Sequence, residues 1–153
     1  MTLTDAFELA LPTPGATEAL GAAVGRALRR GEAVCLWGPL GAGKTTLARG
    51  LIRARTRPDE EVPSPSFTLV QTYAADGIEL AHFDLYRIAD ASELEELGLD
   101  EALDQGAAII EWPERLGARL PPDRLDITLV LDGEARRAHI QPHGEWKDRT
   151  IEF

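Results

Sequence analysis

A chain of 153 residues with 44% hydrophobic residues has the size and composition of one globular domain, and we expect a single domain over residues 1–153. The net charge of −10 argues against autonomous binding to nucleic acid, because affinity for the phosphate backbone depends on clustered Lys and Arg, so any RNA would have to be presented by a partner. No apolar run approaches the ~20 residues of a membrane span and no signal-like segment opens the chain, which predicts a cytoplasmic protein with no membrane association.

The first predicted elements are a strand at residues 5–11 and a helix that follows it. Apolar residues alternate along 5–11, which indicates a half-buried strand at or near a sheet edge. Thr13 and Pro14 form a cap and first-turn pair, and Gly31 is expected to end the helix. The turn from Thr13 to Thr17 either caps this helix or contacts an adenine ring, and the sequence leaves both interpretations open.

The strongest signal lies in residues 33–46, where a short apolar run leads into Gly-x-x-x-x-Gly-Lys-Thr and then into helical spacing. This strand–loop–helix order is that of a P-loop, in which glycines turn backbone N–H groups toward phosphates at a helix N-terminus. Lys44 is expected to reach the β- and γ-phosphates, and Thr45 to offer its hydroxyl to Mg²⁺. The predicted nucleotide-binding residues are Gly38, Pro39, Leu40, Gly41, Ala42, Gly43, Lys44, Thr45 and Thr46.

Two features of composition refine this prediction. The chain has only two lysines, Lys44 and Lys147, although it has many arginines, which suggests that the loop requires a compact ammonium group. Asparagine is absent, so the Asn-Lys-x-Asp element with which GTPases usually read guanine is absent too. The sequence therefore favours ATP over GTP.

The segment after the P-loop helix, residues 53–66, is rich in proline and acid and is predicted to be an irregular loop. It ends in Ser64-Pro65-Ser66-Phe67-Thr68, at a place where nucleotide-sensing switch segments often lie. Thr68 is expected to begin a strand. Its hydroxyl is either part of a switch or an ordinary strand residue, and turn chemistry is an equal account of Ser64 and Ser66.

Two strands are predicted at 67–74 and 78–85, joined by a short turn with Asp76-Gly77. The second strand ends at Asp84, and a carboxylate at a strand end can hold magnesium directly or through water. The alternative is that Asp84 caps the following turn. His82 is interpreted as a packed strand residue rather than a metal ligand, because no second His or Cys stands at metal-binding spacing.

Acidic and apolar segments follow in the next part of the chain. Residues 92–97 and 99–103 are predicted to be two short acidic helices, either solvated or docked against a basic partner. Residues 107–111 form a continuous apolar run typical of a parallel strand buried on both faces, and such strands point their carboxyl ends toward a ligand. Glu111 therefore competes with Asp84 as the metal-binding acid, and the two could also act together.

The C-terminal part is predicted to be strand-rich. Residues 125–131 alternate as a strand, Asp132-Gly133 indicates a hairpin, and 136–141 should return antiparallel, with 149–153 as a last edge strand. Arg136 or Arg137 could approach the phosphates, although paired arginines on an edge strand usually face solvent.

Four motifs in order resemble the TsaE family of small bacterial ATPases. They are Gly-Pro-Leu-Gly-Ala-Gly-Lys-Thr-Thr at 38–46, Ser-Pro-Ser-Phe-Thr-Leu-Val at 64–70, His-Phe-Asp-Leu-Tyr-Arg at 82–87 and Glu-Trp-Pro-Glu-Arg at 111–115. The resemblance implies an α/β P-loop fold with a mixed, partly parallel sheet flanked by helices. It also implies ATP and Mg²⁺ as cofactors, and a role in tRNA threonylcarbamoyladenosine modification with the partners TsaB and TsaD.

Carried onto this chain, the resemblance places Asp84 and Glu111 at the two acidic positions, Trp112 beside the nucleotide and Thr68 at the switch-like threonine. Pro39 and Ser66 depart from the commoner family residues, at positions where the chemistry needs no particular side chain. The expected reaction is hydrolysis of the β–γ bond of ATP, with Lys44, Glu111, Asp84 and Thr68 as candidate catalytic residues. The rival functions are a small-molecule P-loop kinase and a non-catalytic nucleotide-dependent switch.

Overall fold

In the computed structural model, which describes residues 1–153 apart from the side chain of Ala91, seven strands form one mixed sheet. The strands are β1 (Phe7–Leu11), β2 (Ala33–Trp37), β3 (Val70–Ala75), β4 (Ile78–Asp84), β5 (Gly106–Glu111), β6 (Arg124–Asp132) and β7 (Ala135–Pro142). The helices are α1 (Pro14–Ala27), α2 (Lys44–Arg55), α3 (Ala91–Leu97) and α4 (Leu99–Gln105), with 3₁₀ turns at Pro113–Arg119 and Gly144–Trp146. Within the described residues, no helix is long and apolar enough to cross a membrane.

The strand order is β1-β7-β6-β2-β5-β4-β3, with a parallel centre and antiparallel flanks. β2 pairs in parallel with β5 and β6, and β4 pairs in parallel with β5. Every residue of β5 is buried, as a continuous apolar run in a parallel strand predicts. This confirms the predicted α/β fold with a mixed, partly parallel sheet, and also the predicted edge position of β1.

Helix α1 begins as predicted but ends earlier than predicted. The amide of Ala16 donates to Thr13 Oγ1 at 3.1 Å, which is the expected N-cap, and Pro14 occupies the first turn. The helix stops at Ala27, not at Gly31, which lies in the following turn. Arginines explain the early end: Arg55 donates to the carbonyls of Gly25 and Leu28, and Arg149 donates to that of Ala27.

Close packing between α1 and α2 depends on glycine. A Cβ atom at Gly21 would overlap the carbonyl oxygen of Leu47 and lie 3.0 Å from the backbone nitrogen of Leu51. A Cβ atom at Gly25 would lie 2.6 Å from the carbonyl oxygen of Leu51. Since both obstacles are backbone atoms of α2, the two helices approach as closely as their main chains allow. This contact holds α2, the helix that directly follows the P-loop, in its position.

The Gly21→Ala substitution is therefore expected to lower the free energy of unfolding by about 1–3 kcal/mol, because the added methyl forces α1 away from α2. The higher helix propensity of alanine offsets this loss by at most about 1 kcal/mol. Gly15→Ala is the matched control, since its Cβ would meet only Thr13 Oγ1 at 3.6 Å. Urea unfolding of both variants measures the difference, and equal midpoints would contradict the close packing.

Two predicted strands differ in the structure. Thr68 does not begin β3, which starts at Val70, because Leu69 has a left-handed conformation (φ 68°) and its amide bonds the carbonyl of Pro65 at 2.7 Å. Residues 149–153 do not form an edge strand, and only Thr2 and Thr150 make an isolated bridge. That segment is held instead by a buried ion pair in which Arg149 donates to Glu32 at 2.7 and 2.5 Å.

The position of β7 also differs from the prediction for its arginine pair. β7 lies between β1 and β6, so Arg136 and Arg137 are not on an edge strand. Arg137 pairs with Glu8 of β1 at 2.9 Å, while Arg136 turns toward the P-loop. Consecutive residues of a strand point to opposite faces of the sheet, so the two arginine side chains lie in different environments.

Candidate nucleotide-binding site

Parallel pairing brings the predicted site residues to one edge of the sheet. Asp84 is the register partner of Glu111, and Glu111 is the register partner of Leu36, one residue before the end of β2. The loop 38–43 and then α2 follow β2 directly. A cavity of about 310 Å³ opens there, and it is lined by Leu40, Gly41, Gly43, Lys44, Thr45, Thr46, Ser64, Ser66, Asp84, Glu111 and Trp112.

The loop conformation requires glycine at two of its turning points. Gly38 has φ 139°, and a Cβ atom there would lie 2.5 Å from the carbonyl oxygen of Leu129. Gly43 has φ 102° and is the residue that precedes the first turn of α2. The backbone therefore curls around the start of a helix, where N–H groups and the helix dipole favour an anion. This cradle fits a phosphate chain.

Lys44 is buried at the first position of α2, and its ammonium has two uncharged contacts. Nζ donates to the carbonyl of Gly38 at 2.6 Å and lies 3.3 Å from the centroid of the Trp112 ring. Burial lowers the pKa of Lys44, while the negative charges of Glu111, Glu114 and Asp84 oppose that shift. The ammonium is therefore held beside the loop without a direct carboxylate partner, and phosphate oxygens could replace its contacts.

The ring that covers Lys44 is itself held in a particular conformation. Trp112 has a left-handed backbone (φ 60°), which turns the chain immediately after β5. Its ring lies 4.8 Å from that of Tyr86, centroid to centroid, at an angle of 52°. Trp112 lines the cavity, and the Tyr86 ring packs against it.

Glu111 is the centre of the polar contacts in the cavity. Thr45 Oγ1 lies 3.1 Å from its Oε1 and 3.2 Å from its Oε2, and donates to the carboxylate. His82 Nε2 lies 2.6 Å from Oε2. Glu111 is 3% exposed, so these two hydrogen bonds are what the described residues offer to keep its charge in the interior.

Asp84 has a different set of partners. Its Oδ1 accepts from the amide of Tyr86 at 3.0 Å, which is the turn-capping contact that the sequence offered as the alternative to metal binding. Its Oδ2 accepts from the hydroxyl of Ser66 at 3.2 Å, and Ser66 and Ser64 share a hydrogen bond of 2.8 Å. One carboxylate oxygen thus caps the turn while the other faces the hydroxyls of the loop.

Thr68 lies apart from these groups. It is exposed in the turn before β3, and its hydroxyl accepts from Gln71 Nε2 at 3.2 Å. The residues described as lining the cavity include Ser64 and Ser66 but not Thr68. In this conformation the loop presents its serines to the site, and a role of Thr68 stays a prediction.

A second, smaller cavity lies on the other side of the P-loop. Its volume is about 140 Å³, and its lining residues are Leu11, Thr13, Pro14, Thr17, Gly41, Ala42, Gly43, Thr46, Glu134 and Arg136. Arg136 donates to the carbonyl of Gly41 at 3.1 Å. Thr13, Thr17 and Arg136 are therefore brought together beside the loop. Thr13 caps α1 and lines this cavity as well, so the two interpretations of that turn are compatible.

The oxygen donors of the main cavity match the needs of Mg²⁺. Thr45, Asp84 and Glu111 offer one hydroxyl and two carboxylates, and Mg²⁺ prefers hard oxygen ligands. Within the described residues, no group of three or more His, Cys, Asp or Glu side chains could hold a metal ion. In nucleotide sites Mg²⁺ usually has one or two protein ligands and takes the remaining ligands from water and phosphate oxygens.

Sequence reasoning missed several contacts of the site. It interpreted His82 as a packed strand residue, whereas the buried imidazole also contacts Glu111. It did not pair Tyr86 with Trp112, and it did not include Glu134 in the second cavity. A usable signal exists for His82: it stands two residues before Asp84 on one strand, and side chains two apart share a face of a sheet.

Comparisons with known proteins agree on one family. The sequence model described as "Threonylcarbamoyl adenosine biosynthesis protein TsaE" matches residues 11–139. The tRNA threonylcarbamoyladenosine biosynthesis protein TsaE of Rickettsia conorii is 36% identical over 125 residues, covering 81% of this chain and 71% of that protein. The protein of the same name from Bacillus subtilis is 36% identical over 127 residues, with coverages of 81% and 77%. The crystal structure of Bacillus subtilis YdiB superposes with a TM-score of 0.76 at 27% identity, covering 94% of this chain and 88% of that one.

Proposed function

This chain belongs to the TsaE family, and we propose that its part in tRNA threonylcarbamoyladenosine biosynthesis is the Mg²⁺-dependent hydrolysis of ATP. The observation that carries the proposal is the juxtaposition of a buried lysine and a hydroxyl–carboxylate pair at the start of α2. Among the described residues, Lys44 Nζ contacts a carbonyl and a ring face, and Thr45, the next residue of α2, donates to Glu111 at the end of β5. Such an arrangement suits a phosphate chain with a divalent ion.

Each residue has a distinct task in the proposed reaction. The N–H groups at the start of α2 bind phosphate oxygens, and Lys44 donates to the oxygens on which negative charge develops. Thr45 and Glu111 would hold Mg²⁺, which when bound supplies positive charge beside the β- and γ-phosphates. Asp84, whose Oδ2 faces the loop serines, would either accept hydrogen bonds from water molecules bound to the metal or orient the attacking water.

The site also suggests why turnover should depend on partners. Among the described residues that line the main cavity there is no arginine that could stabilise the transition state from outside the loop. Exposed apolar side chains belong to the lining or to residues next to it: Leu40 lines the cavity and is 68% exposed, Phe67 follows Ser66 and is 83% exposed, and Tyr86 packs against Trp112 and is 46% exposed. A protein that covers these side chains would exclude water and could supply the missing charge. The family resemblance names TsaB and TsaD as such partners, which would also present the tRNA.

We therefore expect slow ATP hydrolysis by this protein alone and at least about 10-fold faster release of phosphate when TsaB and TsaD are present, because an added stabilising group is worth 1.4 kcal/mol or more. Phosphate release is measured over many turnovers, with and without the partners. Equal rates would contradict partner dependence. Binding of ATP without multiple turnover would favour the nucleotide-dependent switch, and phosphoryl transfer to a metabolite would favour the kinase.

The same reconstituted system tests the role in the pathway. Formation of threonylcarbamoyladenosine on tRNA is followed over many cycles with this protein present, absent, or carrying Lys44→Ala. The expected result is sustained modification only with the unaltered protein. Modification that continues equally well without it would remove the proposed role.

A further inference from the structure

His82 is a completely buried polar residue that the proposed reaction has not used. It lies in β4 between two register neighbours, Gln71 of β3 and Ile109 of β5, and its exposed fraction is 0%. A buried imidazole without a partner is costly, and here one ring nitrogen, Nε2, lies 2.6 Å from Oε2 of Glu111. The contact is the shortest that Glu111 makes among the described residues.

The pattern of partners defines which nitrogen carries the proton. The Glu111 carboxylate already accepts from the Thr45 hydroxyl, so it acts as an acceptor toward His82, and Nε2 is the donor. The other nitrogen, Nδ1, is buried and has no hydrogen-bond partner in the described part of the chain. A proton on Nδ1 would leave a buried N–H group unsatisfied, whereas a bare nitrogen there costs less. The arrangement of partners therefore places the donated hydrogen on Nε2.

We propose that His82 is a positioning residue for the metal-binding carboxylate, an inference that rests on the proposed Mg²⁺–nucleotide function. By contacting Oε2, the imidazole would fix the rotation of the Glu111 carboxylate, which together with Thr45 would hold Mg²⁺ directly or through water. Hydrogen bonds to the outer oxygen of a ligating carboxylate orient it in this way and commonly change metal affinity by about 10–100-fold. His82 itself does not line the cavity.

Three variants of His82 separate a positioning role from a packing role. His82→Leu removes the donor and keeps an apolar side chain. His82→Gln places an amide nitrogen at about the reach of Nε2, whereas the amide nitrogen of His82→Asn corresponds to Nδ1 and does not reach Glu111. The probe is binding of Mn²⁺ to the full chain saturated with ADP, followed by electron paramagnetic resonance, alongside ADP binding without metal.

The expected result is a loss of Mn²⁺ affinity of about 10–100-fold in His82→Leu and His82→Asn, with recovery of most of the affinity in His82→Gln. Metal-free ADP binding should change little in all three variants, because His82 does not line the cavity. Unchanged Mn²⁺ affinity in His82→Leu, or equal losses in the Gln and Asn variants, would overturn the positioning role. If the unaltered protein binds ADP but not Mn²⁺ with it, the proposed function itself fails.

A measurement on the unaltered protein covers the case in which the variants do not fold. The ¹⁵N chemical shifts of the His82 imidazole report which nitrogen carries the hydrogen. A protonated Nε2 and an unprotonated Nδ1 are expected. The opposite tautomer would overturn the inference, because Nε2 could not then donate to Glu111.

Discussion

Replacing Lys44 with Ala is expected to abolish ATP hydrolysis, with a fall in turnover of at least about 100-fold, and to weaken nucleotide binding. The ammonium is held by the carbonyl of Gly38 at 2.6 Å and by the ring of Trp112, so it is positioned before any phosphate arrives. An ammonium already held beside the loop would stabilise the charge that develops on the phosphate oxygens, and the loss of one such donor can lower turnover by about 100-fold or more. Phosphate release and fluorescent-nucleotide binding measure the two effects.

Two further lysine variants show whether the charge is responsible. Lys44→Met keeps an unbranched chain against Trp112 and removes only the ammonium, so its turnover should fall as far as that of Lys44→Ala. Lys147→Ala removes the one other lysine of the chain from an exposed position and should leave turnover unchanged. Substantial activity in Lys44→Met would contradict the role assigned to the charge, and packing against the ring would then explain the effect of alanine.

The sequence predicted the frame of the site because that frame rests on local chemistry. The spacing of Gly38, Gly43 and Lys44 is legible in one short segment, and a buried parallel strand such as β5 is recognisable from its continuous apolar residues. Parallel strands in one sheet must end on the same side, so Asp84 and Glu111 could be expected near each other before any register was known.

The parts that sequence reasoning got wrong depend on contacts between distant segments. The carbonyl of Leu69 accepts from the amide of Asp84 at the end of β4 at 2.9 Å, and the left-handed conformation of Leu69 moves the start of β3 past Thr68. The end of α1 is likewise set by Arg55 and Arg149, which lie 28 and 122 residues beyond Ala27 in the sequence. Their guanidinium groups donate to the carbonyls of Gly25, Ala27 and Leu28 at the end of the helix. Local propensity predicts that a helix ends at glycine, but it contains no information about arginines of other elements that bond the last carbonyls.

The contact of His82 with Glu111 required register as well as strand identity. The two residues belong to neighbouring parallel strands, but His82 pairs across the sheet with Ile109, two positions before Glu111. Side chains two positions apart on neighbouring strands meet only when both point to the same face. The alternation of side chains along β4 puts His82 and Asp84 on the same face of the sheet. With the additional knowledge that Asp84 pairs with Glu111, the contact between His82 and Glu111 could have been predicted.

Replacing Glu111 with Ala is expected to spare much of the nucleotide binding and to remove Mg²⁺-dependent turnover, a fall on the order of 100-fold. The reason is that the loop backbone and Lys44 would hold the phosphates, whereas Glu111, which accepts from the Thr45 hydroxyl at 3.1 Å, would hold the metal ion in the proposed reaction. Titration of turnover with Mg²⁺, together with nucleotide binding with and without Mg²⁺, separates the two. The loss of Mg²⁺ response should be the larger effect.

Two acidic variants decide how specific that result is to Glu111. Glu114→Gln removes a nearby exposed carboxylate whose charge acts on Lys44, but Glu114 does not line the cavity, so turnover should remain within a few-fold of the unaltered protein. Asp84→Ala should weaken turnover while leaving the Mg²⁺ response largely in place, because Asp84 is bonded to Ser66 and the Tyr86 amide rather than to Thr45. If Glu111→Ala retained turnover and Asp84→Ala lost its Mg²⁺ response, the metal would belong to Asp84, and the Thr45–Glu111 pair would be a structural contact at the end of β5.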